Sequence, residues 1–258
     1  MNLAASRVGA LALFGPYCRR EWVLADDNAL LEYSDAGRHV LMRARDDSPA
    51  MRELLLNIDR EVEGIGFTRV KHDGTTTVGY TSRDGRPLVV KRYNTKNPWH
   101  FVRRSVRRSR ARNCFDFARE LIANQVPTAA PIACVEAKLG PLKGRSWLVT
   151  EYVDGAVCLD YVLGSAGQRE TAEIAARLER MFRKLAEMRI THGDMKATNV
   201  ILRENRYPVL IDLDGMRRHA TPSSYDAPAQ ARPRALHEEL APAPRSRHVL
   251  LPGRVVGL

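Results

Sequence analysis

Apolar positions along the chain repeat with two different periods. Residues 67–71, 75–81 and 87–93 carry short β-type runs, the last with Leu88-Val89-Val90 directly ahead of Lys91. A Ser82-Arg83-Asp84-Gly85-Arg86 turn separates the second from the third, and together they predict three antiparallel strands. Over residues 106–123 the period lengthens: Cys114, Phe117, Ala118, Leu121 and Ile122 fall at i, i+3, i+4, i+7 and i+8, the spacing of one buried helical stripe. The segment from Asn124 to Pro127 stops that helix. Residues 132–135 and 146–152 predict two further strands around a Gly140-Pro141 to Gly144-Arg145 turn. Residues 168–188 predict a long amphipathic helix through Ile174, Leu178, Met181, Leu185 and Met188. Two apolar runs, 200–202 and 208–213, then predict a hairpin. Before residue 66 only 51–62, preceded by Asp47-Ser48-Pro49, reads as a short capped helix. Beyond Met216 the chain turns rich in Pro, Ala and Arg and loses apolar periodicity, so residues 220–258 are expected to form a tail.

Composition narrows the class. With 258 residues, 44% hydrophobic and 28% charged, the chain has the make-up of one large domain or two small lobes, and disorder of the whole is excluded. No apolar run approaches the roughly 18–20 residues of a membrane-spanning helix, and the early run at 8–14 is flanked by Arg7 and Pro16, which argues against a signal peptide. Cys18, Cys114, Cys134 and Cys158 lie far apart with no C-x-x-C pair, against a disulfide framework or a zinc site and in keeping with a reducing cytoplasm.

The net charge of +11 is unevenly placed. Residues 86–112 hold ten basic residues and no acidic one. Continued as a helix, Arg104, Arg108 and Arg112 align at i, i+4 and i+8 with Arg103, Arg107 and Arg110 alongside, an expected basic ridge. Nucleic acid is a poor candidate partner, because only Trp99 and Phe101 could stack on bases and no binding motif is present. An anionic glycolipid or membrane surface fits better.

The most specific segment is His192-Gly193-Asp194-Met195-Lys196-Ala197-Thr198-Asn199, followed by Ile211-Asp212-Leu213-Asp214-Gly215. Phosphoryl transfer needs a carboxylate for the attacking hydroxyl, a lysine near the phosphate, and an amide and carboxylate for Mg²⁺. Asp194, Lys196, Asn199 and Asp212 supply these in order. Asp194 and Asn199 are spaced as in the protein-kinase loop H-R-D-x-x-x-x-N, with Gly193 in place of Arg, and Asp212 falls where the D-F-G aspartate belongs. Upstream, Val89-Val90-Lys91 matches the strand that carries the ATP-phosphate lysine. Val149-Thr150-Glu151-Tyr152-Val153 matches the hinge whose backbone groups bind adenine. His192 is read as a structural residue of the loop.

With these motifs, the sequence resembles the lipopolysaccharide kinase family of Gram-negative bacteria, the Kdo and heptose kinases and their toluene-tolerance relatives. The resemblance runs from about residue 66 to 218 and includes Ser109-Arg110-Ala111-Arg112 and Val126-Pro127-Thr128-Ala129-Ala130-Pro131-Ile132-Ala133. It implies an α+β, protein-kinase-like two-lobe fold with a reduced C-lobe. Residues 1–60 would then be an N-terminal extension, 61–150 the N-lobe and 151–219 the C-lobe. It implies ATP and Mg²⁺ as cofactors and phosphorylation of a sugar hydroxyl of the lipopolysaccharide inner core, at the cytoplasmic face of the inner membrane. Residue by residue, it implies Lys91 as the nucleotide-phosphate lysine, Glu151 and Val153 as hinge residues, Asp194 as base with Lys196 beside it, and Asn199 and Asp212 as metal ligands. Asp214 stays open between a second metal ligand and a carboxylate balancing Arg217 and Arg218.

Three departures stand out. The phosphate-covering loop, Lys71-His72-Asp73-Gly74-Thr75-Thr76-Thr77, has one glycine where kinases have G-x-G-x-x-G. The helix acid expected to pair with Lys91 is Glu120, which projects on the flank of its stripe, with a solvated carboxylate as the other reading. No A-P-E follows Gly215, which favours a small-molecule or glycolipid acceptor over a peptide. The alternatives are a compact atypical serine/threonine protein kinase and a non-catalytic kinase-like stress or solvent-tolerance protein.

Overall fold

A two-residue turn begins the first layer. Strands β1 (Leu30–Asp35) and β2 (Arg38–Arg43) meet across Ala36-Gly37, whose φ values of 46° and 74° give the mirror-image turn that follows the natural strand twist. After a single 3₁₀ turn (Ala44–Asp46), helix α1 (Pro49–Leu56) starts at Ser48, whose Oγ accepts the Met51 N–H at 3.1 Å, with Pro49 in the first turn. Helix α2 (Ile58–Glu63) follows directly, so the single expected helix is two short ones divided at Asn57. The three expected strands are β3 (Thr68–His72), β4 (Thr76–Arg83) and β5 (Arg86–Tyr93). With β6 (Pro131–Leu139) and β7 (Leu142–Glu151) they complete a seven-stranded antiparallel sheet in the order β1-β2-β6-β7-β5-β4-β3. The computed structural model describes residues 29–94, 108–139, 142–164, 166–204, 206–221 and 224–225, and its mixture of helix and sheet is the expected α+β class.

One face of this sheet is covered by α1 and α2. Met51, Leu54, Leu55, Ile58 and Val62 are buried against Leu88, Val90, Ile132, Val135, Trp147 and Val149, with Val40 and Met42 of β2 in the same cluster. The expected boundary at residue 61 therefore does not follow the packing. Residues 30–63 are two strands and the covering layer of the sheet, of which the sequence announces only the helical part at 51–62.

Helix α3 (Arg110–Ala123) packs on the sheet and begins at Ser109, whose Oγ accepts the Arg112 N–H at 3.1 Å. Its buried stripe is Ala111, Cys114, Phe115, Ala118 and Leu121, with Phe117 and Ile122 half-buried at its edge. Beyond β7 come β8 (Ala156–Val157), α4 (Cys158–Gly164), α5 (Gln168–Glu187), β9 (Ile190–Thr191), β10 (Val200–Arg203), β11 (Tyr207–Leu210) and β12 (Arg217–Arg218). A second core joins Tyr93, Cys134 and Leu148 of the sheet, through α3, to Ile174, Leu178, Met181 and Leu185 of α5 and to Met195, Val200 and Leu213. The segment between α3 and β6 is stitched to β11: Ala129 N donates to Leu210 O (2.9 Å) and Leu210 N to Pro127 O (3.0 Å).

The basic ridge takes a different form from the one expected. Helix α3 starts at Arg110, so Arg108 precedes it, and Arg108 and Arg112 both pair with Asp116 at 2.9 and 3.2 Å. Arg110 pairs with Asp214 at 2.7 Å. Arg103, Arg104 and Arg107 lie outside the described residues, as does the expected tail from residue 226 onward.

Candidate active site

The segment between β9 and β10 is shaped by a glycine contact. Gly193 has φ of +82°, and a Cβ on it would lie 1.9 Å from Gly215 O, while one on Gly215 would lie 2.6 Å from His192 O. The two loops thus touch through bare backbone, and only glycine fits on either side. This explains Gly193 in the place of the arginine of the protein-kinase loop. His192 is buried beneath it.

Beyond this contact the chain lays out its polar groups. Lys196 Nζ lies 2.8 Å from Asp194 Oδ1, and both side chains are more than half exposed. That hydrogen bond is the chief reason the Asp194 carboxyl is held below the usual carboxylate range. Asn199 closes the loop: its Nδ2 donates to Asp194 O at 2.9 Å, and its own carbonyl accepts the Ile211 N–H at 3.1 Å. The second bond ties the loop to the backbone directly before Asp212.

Lys91, on β5, reaches across to this backbone. Its ammonium lies 2.9 Å from Asp212 Oδ1 and 2.9 Å from Asp214 Oδ2, with the lysine side chain only 14% exposed. Burial by itself would lower the lysine pKa, but the Asp214 and Asp212 carboxylates outweigh it and leave it raised. Asp214 is the more enclosed of the two acids. It also accepts from Tyr93 OH (2.6 Å), Cys114 Sγ (3.0 Å) and Arg110 Nη2 (2.7 Å), while its N–H donates to Asp212 Oδ1 (3.1 Å). Burial pushes its carboxyl upward, yet Lys91, Tyr93 and Cys114 leave it below its ordinary value. Burial likewise pushes the Tyr93 and Cys114 groups well up, so both stay protonated donors.

Two expectations are corrected here. Glu120 does not meet Lys91: its carboxylate pairs with Arg218 of β12, and the α3 residue that reaches the cluster is Cys114. The stripe centred on Ala111, Cys114 and Phe115 turns Glu120 to the helix flank, so the carboxylates on Lys91 come from the Asp212-Leu213-Asp214 segment. Asp214, correspondingly, does not balance Arg217 and Arg218. The β3–β4 loop also differs from a phosphate cradle. Asp73 accepts from Thr75 N (2.8 Å), Thr75 Oγ1 (2.6 Å) and Thr76 N (2.7 Å), so two of its backbone amides are already satisfied by a carboxylate. Those bonds hold the Asp73 carboxyl far below the ordinary range.

The expected hinge closes β7. Glu151 N donates to Ala130 O (2.9 Å) and Tyr152 N to Pro87 O (3.3 Å). The Glu151 carboxylate receives Arg43 (2.7 Å), Arg86 (3.4 Å) and Arg45 (3.7 Å). Val153 is buried with Ala129 and Val209.

Contacts therefore join Lys91 to Asp212 and Asp214, and Asp194 to Lys196 and Asn199, with the Ile211–Asn199 backbone bond linking the two groups, while Glu120 pairs elsewhere with Arg218. Little in the sequence marks Tyr93, Cys114 and Arg110: a strand tyrosine and a stripe cysteine read as core, and Arg110 as one of many arginines. The sequence profile of the lipopolysaccharide kinase (Kdo/WaaP) family matches residues 67–227, well over half of the chain, including Lys91, Asp194, Asn199, Asp212 and Asp214. Comparison with curated proteins gives no match.

Proposed function

The chain belongs to the lipopolysaccharide kinase (Kdo/WaaP) family, a family of kinases, and on that premise we propose that it moves the γ-phosphoryl group of ATP to a sugar hydroxyl of the lipopolysaccharide inner core. The observation that carries the reading is the contact of Lys91 with Asp212 at 2.9 Å, across 121 positions of sequence. It joins the lysine of a β-sheet to an aspartate whose backbone is tied, through Asn199, to the loop of Asp194.

Each residue then has a task. Asp194, kept ionised by Lys196, accepts the hydrogen bond of the attacking sugar hydroxyl and takes its proton at the carboxylate. Lys196 offsets charge on the phosphoryl oxygens. Lys91, held as an ammonium, binds the nucleotide phosphates, and Asp214 keeps it in place, the task a helix glutamate has in protein kinases. Among the described residues no group accepts a hydrogen bond from the Val153 N–H, so it is available, with the Glu151 carbonyl, to adenine.

The donor set suits Mg²⁺. Asn199 commits its Nδ2 to Asp194 O and leaves Oδ1 as a hard oxygen ligand; Asp212 already binds a cationic group. Asn199 and Asp212 would hold the ion, in keeping with a metal that takes few protein oxygens and several from phosphate. Bound there, it would supply neutralising charge to the phosphate oxygens.

Among the described residues no helix is long and apolar enough to cross a membrane. The surplus of arginine in residues 86–112 would retain the anionic acceptor at the cytoplasmic face of the inner membrane. The mechanism is tested by Asp194→Ala. Removing the base should lower kcat by about 10²–10⁴-fold in a protein whose unfolding midpoint is unchanged, since the side chain is 57% exposed. Steady-state kinetics with equal turnover in the variant would contradict it.

A further inference from the structure

The segment ahead of the family-matched span sends two buried charges to the hinge. Arg43, at the end of β2, has a side chain 8% exposed, and Asp46, in the following 3₁₀ turn, 1%. Arg43 Nε lies 2.5 Å from Asp46 Oδ2 and its Nη2 2.7 Å from Glu151 Oε1. Asp46 Oδ1 in turn holds Arg86 Nη1 at 2.9 Å, and Arg86 Nη2 reaches the same Glu151 oxygen at 3.4 Å. Glu151 is thus held by Arg43 directly, by Arg86, which Asp46 orients, and more loosely by Arg45 at 3.7 Å.

Burying such a network is a poor way to gain stability, because removing the charges from water costs about as much as their attraction returns. What it supplies is geometry: fixed partners at fixed distances in a region of low dielectric. The position it fixes is the last residue of β7, directly before Tyr152 and Val153. Antiparallel pairing holds that strand end on its sides, with Glu151 N on Ala130 O and Tyr152 N on Pro87 O. The ion network holds it from the side-chain direction.

We propose that Arg43 and Asp46 are positioning residues for the nucleotide base, so that residues 30–47 form a working part of the binding site. This rests on the reading of residues 151–153 as the adenine hinge. The network touches no phosphate-binding group: Lys91, Asp212 and Asp214 form a separate cluster. Loosening it should weaken recognition of the base and leave recognition of phosphate as it was.

Arg86, with its side chain half exposed, offers a variant that retains the fold, and Asp46 one that cuts the network at its centre. Titration of the full chain with Mg·ATP and with Mg·tripolyphosphate, which has no base, separates the two halves of the site. Arg86→Gln and Asp46→Asn should each weaken ATP binding by about tenfold, a change of 1.4 kcal/mol, with tripolyphosphate affinity unchanged, and Arg86→Lys should restore most of the loss. Unchanged ATP affinity in either folded variant, or an equal loss for both ligands, would overturn the positioning role and leave the kinase reading standing. Failure of the unaltered chain to bind ATP at all would overturn both.

Discussion

Asp214 holds Lys91 from within the protein, enclosed by Tyr93 of β5 and by Cys114 and Arg110 of α3. Replacing it with Asn leaves the largely buried Lys91 ammonium with one carboxylate fewer, and KM for ATP should rise while the protein loses on the order of 3 kcal/mol. The pH dependence follows from the lowered carboxyl of Asp214. A depressed acid stabilises the folded state fully above its ordinary value of about 3.9, and that contribution is lost as pH falls through the depressed folded value. Urea unfolding of both proteins from pH 7 downward should therefore show a gap that is constant near neutrality and closes in acid. A gap independent of pH, or one that widens in acid, would contradict the pairing. Lys91 acts oppositely: its raised pKa makes its contribution complete below the ordinary lysine value and lost only as pH rises through the folded one.

Among the elements, legibility follows local signal. The strands ending at Arg83 and starting at Arg86 were readable because Asp84-Gly85 is a turn dipeptide, and α5 because its apolar stripe runs for 20 residues. Strands β1 and β2 were not: their turn is Ala36-Gly37, and alanine at positive φ announces nothing. The helix of 51–62 was found from Ser48 and Pro49, yet its partner surface could not be, since that depends on strands closed from distant sequence. In the site, the spacing of Asp194, Asn199 and Asp212 is readable in the sequence, whereas the contacts of Lys91 with Asp212 and Asp214 are not. A helical wheel places Glu120 near the stripe but carries no information on which end of α3 passes Lys91. Residues 30–63 yield a prediction at this scale. A chain without its first 63 residues keeps the family-matched span but exposes the sheet face that Leu54, Leu55, Ile58 and Val62 cover. At about 1.5–3 kcal/mol for each large apolar side chain, against a total stability of about 5–15 kcal/mol, it should fail to give a cooperative thermal transition. A sharp transition in the truncated chain would show that the layer is dispensable.

At the scale of the whole molecule, one continuous core runs from the sheet through α3 to α5 and the segments that flank Asp194 and Asp212. Packing at one end therefore sets the distance between Lys91 and the aspartates at the other. Charge is distributed with the same economy: Arg108 and Arg112 neutralise Asp116, and Arg110 serves Asp214. The described arginines of residues 108–112 are accordingly committed to acids of this chain, while Arg103, Arg104 and Arg107 lie outside the described residues. Whether this architecture serves a lipopolysaccharide acceptor is decided by transfer of labelled γ-phosphate from Mg·ATP, with purified lipopolysaccharide and a mixed protein acceptor in parallel, by the intact chain and by Asp194→Ala. Label is expected in the lipopolysaccharide core only with the intact aspartate. Label on protein alone, or label in lipopolysaccharide at equal rate from the variant, would contradict it.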